Sequence, residues 1–366
     1  MRPVFSSSRQ TLGFALLLAA VLALPGLIAG LGVLRRVEVP VSPAWQFGPF
    51  GWIDSQIRHR TNEVDMVFLG SSRLFVGINP AMVQERLSAQ LGRPAEVFTL
   101  GWNGTGYDAV HVVARDLLAH RKVRMLVIYD DFRPNPSSPH TFNNSAFLWL
   151  RPGVDSVPVA SLPGLERLQL YAGAVLRTPR FLASRPRRSP VPGATAGHPD
   201  EAVEFPDMAK NLGAQRVRRT VPGQPPFEPF APVVPARETD VAILSRDAAD
   251  SLTDQPPLPP YQAYWARELA QLCQAHGTRL VALQVPLPEA RLETRLHTLN
   301  AWPAFADVPV PLVGLPGAQL FGGLTAEEVQ RFFYDPIHLN VNGADHFTKF
   351  ITPALLQLHA ATTNRF

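Results

Sequence analysis

Three short apolar runs, spaced by two helical stretches, constrain this chain more than any other feature. Asp65–Leu69 reads DMVFL, Ala95–Leu100 reads AEVFTL and Val123–Tyr129 reads VRMLVIY. Asn79 and Pro80 open a helical stretch that continues to about Leu91, and Asp108–Ala119 has the spacing of a second helix. Short continuous apolar runs bounded by turn residues suit strands buried on both faces. Parallel neighbours need a crossover between them, and a helix supplies it. The alternation therefore predicts a parallel sheet covered by helices. Right-handed crossovers bring the three strand ends along one edge.

The same pattern resumes at Tyr261. YQAYWARELAQLCQAHG predicts an amphipathic helix ending at Gly277, and RLVALQV a strand over Arg279–Val285. Thr325–Phe333 reads as a further helix and Gly343–Leu358 as the last, with Asn342 as its cap. Leu165–Ala183 reads as one helix, bent near Pro179. From about Ser184 to Pro260 the chain is Pro-rich, with runs such as PGQPPFEPFAPVVP and QPPLPP. This stretch reads as an insertion or cap made largely of loops, either controlling access to a cleft or serving as a solvated spacer. The basic cluster Arg177, Arg180, Arg185, Arg187 and Arg188 lacks interleaved aromatics and reads as a solvated face.

At the amino end, TLGFALLLAAVLALPGLIAGLGVL carries no charge and stops at Arg35 and Arg36. At 1.5 Å per residue this run reaches roughly 35 Å, against about 30 Å for a bilayer core. It predicts one transmembrane helix over residues 12–34. The competing reading is a signal peptide cleaved after the VLA that precedes Leu24. The expected organisation is a tail and anchor over 1–36, a lead-in over 37–62, and an α/β domain over 63–366 with the insertion at about 184–260. The expected location is the inner membrane, single-pass, with the domain exported. The formal charge of +4 is too mild to argue for a nucleic-acid partner. The one cysteine, Cys273, excludes an intramolecular disulfide and any multi-cysteine metal site, and reads as a buried structural thiol.

Four separated segments hold residues suited to chemistry. Leu69-Gly70-Ser71-Ser72-Arg73 falls where the first strand ends, and open α/β sheets place their ligand sites at that edge. A serine there is a nucleophile if a base reaches it. Leu100-Gly101-Trp102-Asn103-Gly104-Thr105-Gly106 follows the second strand; the Gly104 N–H and the Asn103 amide are candidate oxyanion donors. The third strand ends in Tyr129-Asp130-Asp131-Phe132, where the two acids bind a cation, orient Arg73 or cap the next segment. Near the carboxyl end, Tyr334-Asp335-Pro336-Ile337-His338-Leu339-Asn340 sets an acid three residues before a histidine. Asp335 is thus placed to hold one ring nitrogen of His338 while the other takes a proton from serine. Arg73 either binds a substrate phosphate or carboxylate, or pairs with Asp130 or Asp131. His346 reads as a surface or packing residue.

In these segments and their order the chain resembles the SGNH or GDSL-type hydrolase superfamily. The resemblance implies a three-layer α/β/α sandwich with a mostly parallel, flavodoxin-like sheet. It places Ser72 at the nucleophile, Gly104 at a backbone oxyanion donor, and Asp335 and His338 at the acid and base. Asp130 stands where the family carries an asparagine donor, so either Asn103 donates instead, Asp130 is protonated, or the site is weak. The plan of anchor, GSS block and DxxHLN segment is similar to the membrane-anchored proteins of teichoic acid D-alanylation and exopolysaccharide O-acetylation. By that resemblance the expected function is serine-dependent acyl transfer or ester hydrolysis on a cell-envelope polysaccharide or related glycan. The protein is then an esterase or O-acyltransferase needing no cofactor or metal. Its expected partners are an acylated or acyl-accepting envelope glycan, a membrane acyl-export protein and the membrane itself. Two alternatives stand beside it: a general carboxylesterase, and an inactive tethered scaffold or glycan-binding protein.

Overall fold

The structure is a computed structural model. It describes residues 7–31, 56–57, 60–102, 106–130, 164–165, 168, 172, 175, 203–204, 217–218, 242–244, 260–294, 296, 308, 310–333 and 336–363. Most of the helix expected at 165–183 and most of the Pro-rich stretch lie outside those residues.

Helix α1 spans Ser8–Gly30. Its apolar part begins only at Leu12, after Ser8, Arg9, Gln10 and Thr11, and the helix stops at Gly30. That part is about 28 Å long, short of the roughly 35 Å expected and of a hydrocarbon core of about 30 Å. Among the described residues no helix is long and apolar enough to cross a membrane. This corrects the expectation of a transmembrane helix over 12–34. The single-pass inner-membrane location, the exported domain and the membrane partner fall with it. So do the envelope glycan and the acyl-export protein, whose assignment as partners rested on the resemblance to membrane-anchored proteins. The described side chains of α1 are exposed except Leu24, which is half-buried; Leu12 and Leu16 are exposed by more than three fifths.

The α/β body follows the predicted alternation. Strand β1 (Val64–Ser71) leads into a six-residue helix α2 (Ser72–Gly77) and then α3 (Pro80–Leu91). Strand β2 (Val97–Trp102), α4 (Tyr107–His120) and β3 (Val123–Asp130) come next. After a short strand β4 (Ala242–Leu244) come α5 (Pro260–Ala275), β5 (Arg279–Gln284) and β6 (Leu312–Gly314). Helices α6 (Gly317–Leu320), α7 (Ala326–Gln330) and α8 (Val341–Thr363) complete the body. The sheet order is β2-β1-β3-β5-β6-β4. All neighbours are parallel except β4, which pairs antiparallel with β6 at the edge. The Pro-rich stretch thus lends the main sheet an edge strand. Two further two-residue strands, Val203–Glu204 and Val217–Arg218, pair with each other in a separate sheet.

The apolar runs are continuous because each strand feeds two cores, one on each face of the sheet. Val67, Leu69, Leu126, Ile128, Leu280 and Ala282 face α4 and α5. Met66, Phe68, Met125, Val127, Val281 and Leu283 face the layer of α2, α3 and α8. Alternate residues of a strand point to opposite faces, so a strand sandwiched between helices has no polar side to show. Full burial of each such Val, Leu, Ile, Phe or Met side chain contributes roughly 1.5–3 kcal/mol. Local signals fix the helix ends. Asn79 Oδ1 accepts the Met82 N–H at 3.3 Å with Pro80 at the first helical position, and Gly92 closes α3 at φ 64°. Thr325 and Glu328 form a reciprocal capping box on α7.

Candidate active site at the carboxyl edge of the sheet

Counted among the five parallel strands, the order is 2-1-3-4-5, and the winding reverses between β1 and β3. In open α/β sheets such a reversal is where ligands bind, beyond the carboxyl ends of the strands. Ser71 is the last residue of β1, and Ser72 the first of α2. The short helix α2 was not foreseen; the sequence predicts only a small-residue turn. All six of its residues are buried.

Two glycines let α2 fold back onto the strand ends. A Cβ on Gly101 would lie 2.9 Å from both the Gly70 carbonyl and Phe75 Cβ. A Cβ on Gly70 would lie 3.0 Å from Tyr129 Cβ and 3.1 Å from Leu74 Cδ2. The glycines are therefore explained by packing of helix on strand, before any bound atom is considered.

Ser72 Oγ and His338 Nε2 are 2.8 Å apart, joining residues 266 positions apart in sequence. Ser72 is 9% exposed. As the first residue of α2, its N–H is also among those without an intrahelical partner. His338 lies between α7 and α8, on a loop braced at its base. Phe333 and Leu339 pair as an antiparallel bridge, and the Asn340 N–H donates to the Phe332 carbonyl at 2.9 Å. Leu339, Phe332 and Phe333 are buried in the core on that face of the sheet.

The serine side is tied to the same region. Asn79, just past α2, donates its N–H to Thr348 Oγ1 at 2.9 Å and its Nδ2–H to Asp345 Oδ1 at 2.8 Å. Both partners lie on α8. The cap formed by Asn79 was legible in the sequence. Its grip on a helix some 266 residues later was not, because a polar side chain carries no sign of its distant partner.

The other predicted site residues are distributed as follows. Arg73 is 7% exposed and turns inward. Its Nη2 donates to the Val285 carbonyl at 2.8 Å and the Pro286 carbonyl at 3.4 Å, and its guanidinium sits 5.0 Å from the Tyr129 ring centroid. It thereby ties α2 to the end of β5. Asp130 ends β3, its backbone in register with Gln284, while its side chain lies outside the described residues. Asn103, Gly104, Asp131 and Asp335 also lie outside them. His346 contacts the Leu320 carbonyl at 2.9 Å through Nε2 and stacks between Phe332 and Phe350. Burial holds its pKa below the usual histidine value, as befits a packing residue. Cys273 is buried in α5, and burial pushes its thiol up to about 12, too high for a nucleophile at neutral pH. Among the described residues no group of three His, Cys, Asp or Glu side chains is placed to hold a metal ion. The last helix starts at Val341 rather than Gly343, and its cap is Asn340 rather than Asn342, with Asn340 Oδ1 accepting the Gly343 N–H at 3.0 Å.

No family model, no curated protein and no solved structure matches this chain, so membership of the SGNH or GDSL superfamily is not shown.

Proposed function

We propose that this chain catalyses serine-dependent acyl chemistry: cleavage of an ester through an acyl-Ser72 intermediate, with the acyl group passing to water or to another acceptor hydroxyl. The observation that carries this reading is the 2.8 Å contact between Ser72 Oγ and His338 Nε2 at the winding reversal of the sheet. A serine hydroxyl is a weak nucleophile until an adjacent base takes its proton. In the first half-reaction Ser72 Oγ bonds to the ester carbonyl carbon and its proton passes to His338. The bond to the leaving alkoxide then breaks, and His338 returns that proton to it. In the second half-reaction His338 takes a proton from water or the acceptor hydroxyl, whose oxygen attacks the acyl carbon. Ser72 leaves and regains its proton. Asp335 is assigned the orienting acid. The N–H groups of Ser72 and Gly104, with the Asn103 amide, are assigned the oxyanion. Limitation of the substrate to envelope polymers rested on the resemblance to membrane-anchored proteins and is dropped with the anchor. The resemblance of the four segments and their order to SGNH or GDSL hydrolases supports the same chemistry.

A fluorophosphonate probe tests this without knowledge of the natural ester. The protein is expected to be labelled at Ser72, and Ser72→Ala to lose both the label and hydrolysis of p-nitrophenyl acetate. His338→Gln should slow both by about 10²–10⁴-fold, the usual contribution of a general base. Equal labelling and hydrolysis in wild type and Ser72→Ala would refute the assignment.

A further inference from the structure

We propose that Asn340 is a positioning residue that sets where the His338 ring stands. The proposal rests on the acyl-serine reading and deepens it. The loop from Arg331 to Asn340 leaves α7 and enters α8, and Asn340 closes it with both ends of one amide. Its Nδ2–H donates to the Arg331 carbonyl at 2.6 Å, across nine positions of chain. Its Oδ1 accepts the Gly343 N–H at 3.0 Å and caps α8. Its main chain adds the bond to the Phe332 carbonyl, and its own carbonyl accepts the Ala344 N–H at 2.8 Å. His338 is two residues from this knot.

Asparagine alone among the good helix caps does both jobs at that reach. Aspartate and serine cap as well or nearly so. Aspartate has no N–H to give, and sets an oxygen against the Arg331 carbonyl. Serine is a bond shorter and falls away from it. The amide nitrogen therefore contributes loop closure, separately from capping. Gly343 adds to the constraint, since a Cβ there would collide with the Phe332 carbonyl. The entry of α8 lies directly on the loop base, and a change in the base is passed to the histidine rather than absorbed.

The test uses the full chain with Asn340→Asp and Asn340→Ser, and Asn342→Ala as the control at the neighbouring asparagine. Three quantities are read: the second-order rate of fluorophosphonate labelling at Ser72, kcat and KM for p-nitrophenyl acetate, and the thermal midpoint. Labelling and kcat are expected to fall about 10–100-fold in the Asp and Ser variants, the loss expected for misplacement of a reacting group by about 1 Å. KM should stay near wild type, and the Ser variant's thermal midpoint should fall by only a few degrees, because the cap is kept and one exposed hydrogen bond is lost. The Ser variant decides the matter if the Asp variant fails to fold. Wild-type labelling and kcat in a folded variant would overturn the proposal and leave the acyl-serine reading standing. Absence of labelling at Ser72 in the wild type would overturn both.

Discussion

Asp108 offers a quantitative test of the packing between α4 and α5. Its side chain is fully enclosed in the first turn of α4. Tyr261 of α5 donates its hydroxyl to Oδ2 at 3.1 Å, and the Ala109 N–H donates to Oδ1 at 2.8 Å. Burial raises the carboxyl from 3.8 to about 6, against the pull of those hydrogen bonds. Burial and the neighbouring carboxylate both push the Tyr261 hydroxyl upward, so it remains a donor at all working pH values. At 1.36 kcal/mol per unit, a rise of about two units amounts to roughly 3 kcal/mol.

The sign follows from proton counting. Between about pH 4 and pH 6 the folded chain keeps the Asp108 proton while the unfolded chain has lost it. Stability falls as pH rises through that window, and this contribution is level above it. Asp108→Asn has the same shape and no charge to bury. Its stability relative to wild type should therefore improve by roughly 2.5 kcal/mol between pH 4 and pH 8, the rest of the gain falling below pH 4. Urea unfolding of both proteins at pH 4, 5, 6, 7 and 8 measures this directly, and taking the difference removes the titration of every other group. Parallel curves, with a constant offset across the range, would refute the reasoning and show that Asp108 ionises as easily folded as unfolded.

Two further perturbations probe the frame around the candidate site. Asn79→Ala removes the cap on α3 and the bond to Asp345 and should lower stability by about 2 kcal/mol in denaturant titration; fluorophosphonate labelling of Ser72 should slow in parallel. At the opposite edge of the sheet, burial alone would raise the Asp65 carboxyl, but hydrogen bonds from Arg93 and the Glu96 N–H outweigh it and hold the pKa below the usual value. That stability is present above the unfolded-state pKa and is lost as pH falls through the lowered folded-state value. In acid titration Arg93→Met should unfold at higher pH than wild type, and the gap between the two should close at the acid end.

How much of this was readable beforehand depends on what each residue signals locally. DMVFL, AEVFTL and VRMLVIY announced buried strands because both faces of each strand must be apolar. Asn79-Pro80 announced the start of α3 because cap and first helical residue are adjacent in sequence. The short strands β4 and β6 gave no such notice, since three residues have too little pattern to stand out among prolines and loops. Helix α2 was hidden for a different reason: Ser72 and Arg73 are poor indicators of a buried helix, and only the glycines beneath make room for one. Asn340 caps α8 rather than Asn342, and propensity does not separate two asparagines so close in sequence. The bond back to Arg331 that distinguishes them is a matter of loop geometry. The apolar run to Leu34 overstates the helix, because apolar residues continue past Gly30, where α1 ends.

The meeting of Ser72 and His338 depends on one structural part shared by both. The serine arm reaches α8 through Asn79, which holds Asp345 and Thr348. The histidine arm reaches it through Asn340, which holds Gly343 and Ala344. All four contacts fall within the first eight residues of that helix, Val341 to Thr348. Strand order brings the two arms to the same edge, but parallel strands with loops above them fix positions only loosely. A common helical mount turns that neighbourhood into a 2.8 Å contact. A disturbance at either asparagine therefore acts on the distance between Ser72 Oγ and His338 Nε2, whichever arm it starts from.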